Sequence, residues 1–296
     1  MYWNLRTKTR QPEFVWKLAF GVLVVGMLIA WMVQPSELSG SMEDVLNAPE
    51  APPFEEYDEY KEYNEYVGYL DQLSMSRQWV RYWWAIPKIM WLGAVPGATA
   101  VALVTGICWF VFIVQAGQPH REHGIRWWLA ALAVPLGVLS IWPTLFAVDW
   151  QDIEMGISEA DDLKAGLKFF IAGVGLREEL CKLLMFVPLL PPIIRRRNER
   201  EALIVAACVG LGFAMEENIN YILGTGDATG RFLTANFFHM SLTGIAGLAL
   251  CRGIWCPRER AAEAGVVFLV AVFVHGLYDA FIVLPDLQIL GLARPC

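Results

Sequence analysis

Charge is scarce in this chain. Asp, Glu, Lys and Arg make up 18% of its 296 residues and hydrophobic residues 56%, a balance that excludes an ordinary soluble domain, whose surface needs far more charge. A disulfide framework is missing too. Of the six cysteines, Cys108, Cys181 and Cys208 fall inside long apolar stretches and Cys251 and Cys256 border a basic loop, a distribution that fits reduced thiols. The last four residues, Ala-Arg-Pro-Cys, match no lipidation signal. No small-residue cleavage site follows the first apolar run, so that run is expected to stay as a membrane span rather than to be removed as a secretory signal. No segment reads HEXXH, the most specific zinc-hydrolase pattern. The net charge of -7 argues against a nucleic-acid partner.

What the chain has instead is long apolar runs. A hydrocarbon core of about 30 Å takes about 20 apolar residues per helical crossing. Seven stretches qualify, near 14–34, 89–115, 127–148, 166–190, 202–223, 232–251 and 264–285. The predicted fold is all-α, a polytopic membrane helix bundle of about seven transmembrane helices with the lipid bilayer as its surroundings. Loop charge orients it: Arg6, Lys8 and Arg10, then Arg121 and Arg126, then Arg195, Arg196, Arg197 and Arg200, then Arg252, Arg258 and Arg260 fall on one side of such a bundle. The positive-inside bias puts that side, and the N-terminus, in the cytoplasm. The chain then divides into three regions: a tail and first helix over 1–34, an acidic external segment over 35–88, and a six-helix membrane domain over 89–296.

The segment from Gln34 to Ser76 holds eleven Asp or Glu against a single Lys, with tyrosines at 57, 60, 63, 66 and 69. A spacing of three drifts around an α-helix, so this reads as a solvated, partly helical segment rather than a packed element. A docking or regulatory role is the functional alternative to plain solvation. Arg77, Arg81 and Lys88 flank Trp79, Tyr82, Trp83 and Trp84, a mixture suited to an interfacial helix at the headgroups.

The informative residues are polar ones where lipid should be. The fourth span reads Gly-Leu-Arg-Glu-Glu-Leu-Cys-Lys, with Arg177, Glu178, Glu179 and Lys182 near mid-membrane. An ionised side chain there costs at least about 2.5 kcal/mol, so these groups must face partners or water. Glu178 and Lys182 are spaced to pair on one face, while Glu179 projects about 100° away. The fifth span carries Glu216, Glu217, Asn218 and Tyr221; Glu216 reads as structural or as part of the rim. The sixth carries Asn236 and His239, followed by the small residues Ser241, Thr243, Gly244 and Gly247, which allow close packing with His239 inward. The seventh carries His275 and Asp279 one helical turn apart, so Asp279 can fix the tautomer of His275 or share a bound group with it.

Each group alone has a bland reading: an intramembrane ion pair, or a histidine bonded to a carbonyl across helices. Glu178, Glu179, Glu217, His239, His275 and Asp279 nevertheless fall at similar depth on four successive helices, which an antiparallel bundle can bring into one cavity. Carboxylates and imidazoles together supply a base for water and donors for an oxyanion. Two histidines with a carboxylate, here Glu179, His239 and His275, also make a zinc set, so no cofactor is required but zinc is admitted. A proton-coupled transporter or channel would use the same residue types as a relay, though the two halves show no convincing repeat. A catalytically inert chaperone or immunity protein on the same scaffold is the third class.

At these residues the sequence resembles the PrsW family of intramembrane proteases, relatives of the CAAX prenyl endopeptidases and bacteriocin-processing proteins. The marks lie within 166–285: Glu178-Glu179-Leu-Cys-Lys182, Gly-Phe-Ala followed by Glu217-Asn218 and Tyr221, His239 followed by Thr-Gly-Ile-Ala-Gly, and His275-Gly-Leu-Tyr-Asp279. The resemblance implies an endopeptidase in a prokaryotic inner or plasma membrane that cleaves membrane-anchored proteins. It implies that Glu178 or Glu179 with His239 activates water and that His275 with Asp279 binds the oxyanion, with Lys182, Asn218 and Tyr221 in support. Ala235 stands where the prenyl endopeptidases have phenylalanine, and Asp279 where theirs is often asparagine. Both departures favour the PrsW branch, whose members clip single-span regulators such as anti-sigma factors.

Overall fold

A computed structural model describes residues 12–33, 61–118, 124–159, 162–225 and 228–284, and every element among them is helical. Helix α1 is Pro12–Val33, α2 Lys61–Met75, α3 Trp79–Leu92 and α4 Pro96–Ala116. Helices α5, Trp127–Leu139, and α6, Ile141–Met155, join through Ser140 into one long span. The next stretch runs through α7 (Leu163–Lys168), a π-helical turn (Phe169–Gly175), α8 (Leu176–Phe186), a 3-10 turn (Val187–Leu189) and α9 (Leu190–Arg196). Helix α10, Glu199–Thr225, leads through a second π-helical turn, Arg231–Ala235, into α11, Asn236–Trp255, and α12 is Pro257–Val283. The basic tail at Arg6, Lys8 and Arg10, the acidic stretch 34–60 and Arg121 lie outside the described residues.

Six of these helical stretches are long and apolar enough to cross a membrane: Glu13–Met32, Pro96–Ala116, Trp127–Met155, Glu199–Ile222, Ala228–Trp255 and Pro257–Val283. The stretch expected at 166–190 is helical, but its charges and breaks keep it out of that set. It accounts for the difference between six and the expected seven.

Helix α10 is the centre of the bundle, with Ala202, Val205, Ala206, Cys208, Val209 and Leu211 buried. Close helix crossings are made by small residues. Gly137 and Gly212 face each other where α5 meets α10, and a Cβ on either would run into a carbonyl of the other helix. Association within lipid depends on such contacts, because hydrocarbon solvates leucine as well as protein does. Cys108, Cys181, Cys208 and Cys251 are buried thiols and Cys256 is an exposed one.

One end of the bundle is tied by ions. Glu201, fully buried, accepts from the Arg126 backbone N–H at 2.8 Å, from the Arg126 guanidinium, and from Arg196 at 2.9 Å. Arg252 pairs with Glu199 at 2.6 Å. The loops bearing Arg126, Arg196 and Arg252 therefore meet at one end, as their charge predicted.

The opposite end differs from expectation. Residues 61–75 are not plainly solvated: Leu70 and Leu73 of α2 pack with Tyr82, Ala85, Ile86 and Ile89 of α3, against Trp142, Leu145 and Phe146 of α6. Trp83 stacks on Trp142 at 5.1 Å between ring centroids. The Tyr66 hydroxyl donates to the Ala85 carbonyl, and Lys88 lies over the Tyr66 ring. Tyr82 is buried beside Asp149, and burial pushes its hydroxyl pKa above the ordinary tyrosine value. Helices α2 and α3 thus form a hairpin seated on α6, with the aromatic residues of α3 serving protein packing as well as a surface.

Candidate active site

Both π-helical turns end where the polar residues begin. Phe169–Gly175 runs into Leu176–Phe186, which carries Glu178, Glu179 and Lys182, and Arg231–Ala235 runs into the helix of Asn236 and His239. An extra residue in a turn rotates the helix downstream of it, and such bulges recur at functional sites. Gly175 and Gly276 let α12 approach the first turn: a Cβ on Gly276 would overlap the Phe170 carbonyl. His275, its neighbour, is thereby held against Glu179.

The six expected site residues converge. Glu179 is fully buried and saturated: its Oε1 accepts from Lys182 Nζ at 2.8 Å and lies 2.8 Å from His275 Nδ1, and its Oε2 accepts from Thr243 at 3.3 Å. Lys182 also lies 3.5 Å from Glu178, 2.9 Å from His239 Nδ1 and over the Phe213 ring. The pairing is thus wider than the expected Glu178–Lys182 contact, with the bond to Glu179 the shorter one, because the flexible lysine stem reaches both neighbours in the preceding turn.

Hydrogen-bond bookkeeping assigns the imidazoles. Lysine can only donate, so His239 Nδ1 accepts from Lys182 and its Nε2–H donates to Glu217 Oε2 at 2.8 Å. His275 Nδ1–H donates to Glu179, leaving Nε2 facing Glu178 and Asp279, each at 3.4 Å. The two rings lie 5.1 Å apart. Four carboxyl groups, on Glu178, Glu179, Glu217 and Asp279, thus share Lys182 and Arg231 as their paired cations, and a proton or metal near His275 would relieve the excess.

Sequence reasoning missed Arg231. Its Nη2 donates to Glu217 at 2.6 Å, its Nε donates to Asn218 at 2.7 Å, and its guanidinium lies over the Tyr221 ring. Asn218 donates on to Asn236. The signal was available: Arg231 is the one positive charge between Glu217 and His239. Asn218 and Tyr221, expected as supports, bear on the site through Arg231. Glu216 makes none of these contacts.

Among the described residues, those able to hold a metal are Glu178, His239 and His275, whose ligand atoms lie within 4.8 Å of one another. The structure brings Glu178, rather than Glu179, into this group. Two imidazoles and a carboxylate fit a catalytic metal, and the bond from His275 Nδ1–H to Glu179 is the outer-sphere partner such a ligand needs. His239 would have to give up one of its present partners.

Glu178 and Glu217 also border a cavity of about 730 Å³, so the cluster is reached from a space and is not sealed. The model of the PrsW family intramembrane metalloproteases matches residues 125–293. No curated protein and no solved structure matches the chain.

Proposed function

Since the chain belongs to the PrsW family of intramembrane metalloproteases, a multi-pass membrane peptidase family, we propose that it cleaves single-span membrane proteins with Glu178 as the base that deprotonates water. The observation that carries this is the difference between the paired glutamates: Glu179 has both oxygens engaged, while Glu178 borders the cavity. Water held at Glu178 can lose its proton to that carboxylate and attack a peptide carbonyl. His275, turned by Glu179 so that Nε2 faces Glu178 and Asp279, donates to the developing oxyanion when Nε2 is protonated. Glu178 then returns the proton taken from the water to the leaving amine, while His239, with both ring nitrogens engaged by Lys182 and Glu217, holds those two side chains in place. Glu179, Glu217 and Arg231 are positioning residues.

A second reading keeps the geometry and adds a metal, because Glu178, His239 and His275 form a ligand group. A bound metal would polarise the water and the carbonyl. Metal analysis of purified protein, with chelator sensitivity of cleavage, separates the two readings.

The test is cleavage of a single-span model substrate by the full chain in liposomes. Glu178→Gln and His239→Ala should each lower kcat/KM by about 10²–10⁴-fold, with the protein still eluting as one folded species. Full activity in a Glu178→Gln, Glu179→Gln double variant would refute the reading.

A further inference from the structure

The cavity beside Glu178 has walls unlike its floor. Val67 and Leu70 of α2, Ile86 and Met90 of α3 and Leu103 of α4 line it, all upstream of the family-matched residues 125–293. Its floor carries Glu178, Glu216, Glu217 and Arg177. At about 730 Å³ it falls in the size range of ligand clefts, and it is continuous with the carboxylate proposed as base.

Three polar groups bordering this space lack partners among the described residues. The buried Arg177 Nε–H has no acceptor, nor has the buried Thr99 hydroxyl oxygen any partner. Glu216 makes neither a hydrogen bond nor an ion pair, and the charge acting on it is that of Glu217, of like sign. The other acidic residues of the cluster each face a nitrogen: Glu178 and Glu179 the Lys182 ammonium, Glu217 the Arg231 guanidinium, and Asp279 the His275 imidazole. Unmet polar groups are expensive away from water. A single ligand that supplies carbonyl acceptors, apolar side chains and one cation would satisfy all three, and a polypeptide with a basic residue is such a ligand. Asp71 and Asp149 add to the negative lining, against Arg177 as the one basic lining residue among those described.

We propose that the space beneath the α2–α3 hairpin is the cleft for the substrate polypeptide beside its scissile bond, and that Glu216 selects a lysine or arginine in that segment. The proposal rests on the peptidase reading for its chemistry but not for its binding. The apolar hairpin wall receives the hydrophobic residues, Arg177 takes a backbone carbonyl, and the substrate cation pairs with Glu216. Glu216 is thus a specificity residue one position away from Glu217, which serves the imidazole.

The test uses the full chain in liposomes and three single-span peptides that differ at one flanking position, lysine, glutamine or glutamate. Wild type should cut the lysine peptide about tenfold faster in kcat/KM than the glutamine peptide. Glu216→Gln should remove that preference, and Glu216→Lys should turn it toward the glutamate peptide. A benzophenone side chain at position 90 should crosslink the lysine peptide, less so in Glu216→Gln. Equal cleavage of all three peptides with no crosslink overturns the cleft and leaves the peptidase. A Glu216-dependent crosslink without cleavage keeps the cleft and removes the peptidase. Unchanged lysine preference in Glu216→Lys overturns the role of Glu216.

Discussion

Adjacent glutamates with identical chemistry are given different work by their neighbours. Glu179 holds Lys182, His275 and Thr243 together, so replacing it disturbs three partners at once, whereas Glu178 has a side open to the cavity. The same logic makes Arg231 a test of the positioning chain, since it touches Glu217 and Asn218 while Glu217 holds His239. Arg231→Ala should lower kcat by about 10–100-fold, the usual effect of losing an orienting partner behind a reactive group, with KM little changed. Arg231→Lys should restore part of the rate, because the charge remains while the second bond of the guanidinium fork is lost. A steady-state titration with one model substrate reads both. A rise in KM with kcat intact would mean that Arg231 contacts substrate instead.

At the scale of elements, the apolar spans were legible because about 20 residues without charge have few other uses. The site was legible for the converse reason, since Glu178, Glu217, His239 and His275 stand where charge is costly. The hairpin was not. The acidic residues and tyrosines of α2 dominate its composition, and the buried stripe of Leu70 and Leu73 is too short to register as a periodic face. The π-helical turns were also invisible, because no residue pattern specifies an inserted residue; only the crossing with α12 reveals their use. That crossing is testable at Gly276. Gly276→Val would drive a branched side chain into the Phe170 carbonyl and Ile171, destabilising the fold by about 1–3 kcal/mol as overpacking does. The midpoint of thermal unfolding in detergent should fall and His275 should lose its contact with Glu179, so activity should drop further than stability. An unchanged midpoint would mean that α12 can shift without loss.

The whole molecule is polarised. One end is fastened by Glu201 with Arg126 and Arg196 and by Glu199 with Arg252, while the acid-lined cavity and the α2–α3 hairpin lie toward the other. An arginine-rich end resists translocation, so it should be cytoplasmic and the cleft should face the extracytoplasmic half of the membrane. Cys256 reads this directly: it follows α11 beside Arg252 and is exposed, while Cys108, Cys181, Cys208 and Cys251 are buried. In a Cys296→Ser background, a membrane-impermeant maleimide should label Cys256 in inside-out vesicles and leave it unlabelled in right-side-out ones. The reverse pattern would invert the bundle and put the cleft on the cytoplasmic side, so that substrates would be cut from their cytoplasmic flank. The side on which Cys256 reacts therefore determines which flank of a single-span protein can bring a basic residue to Glu216.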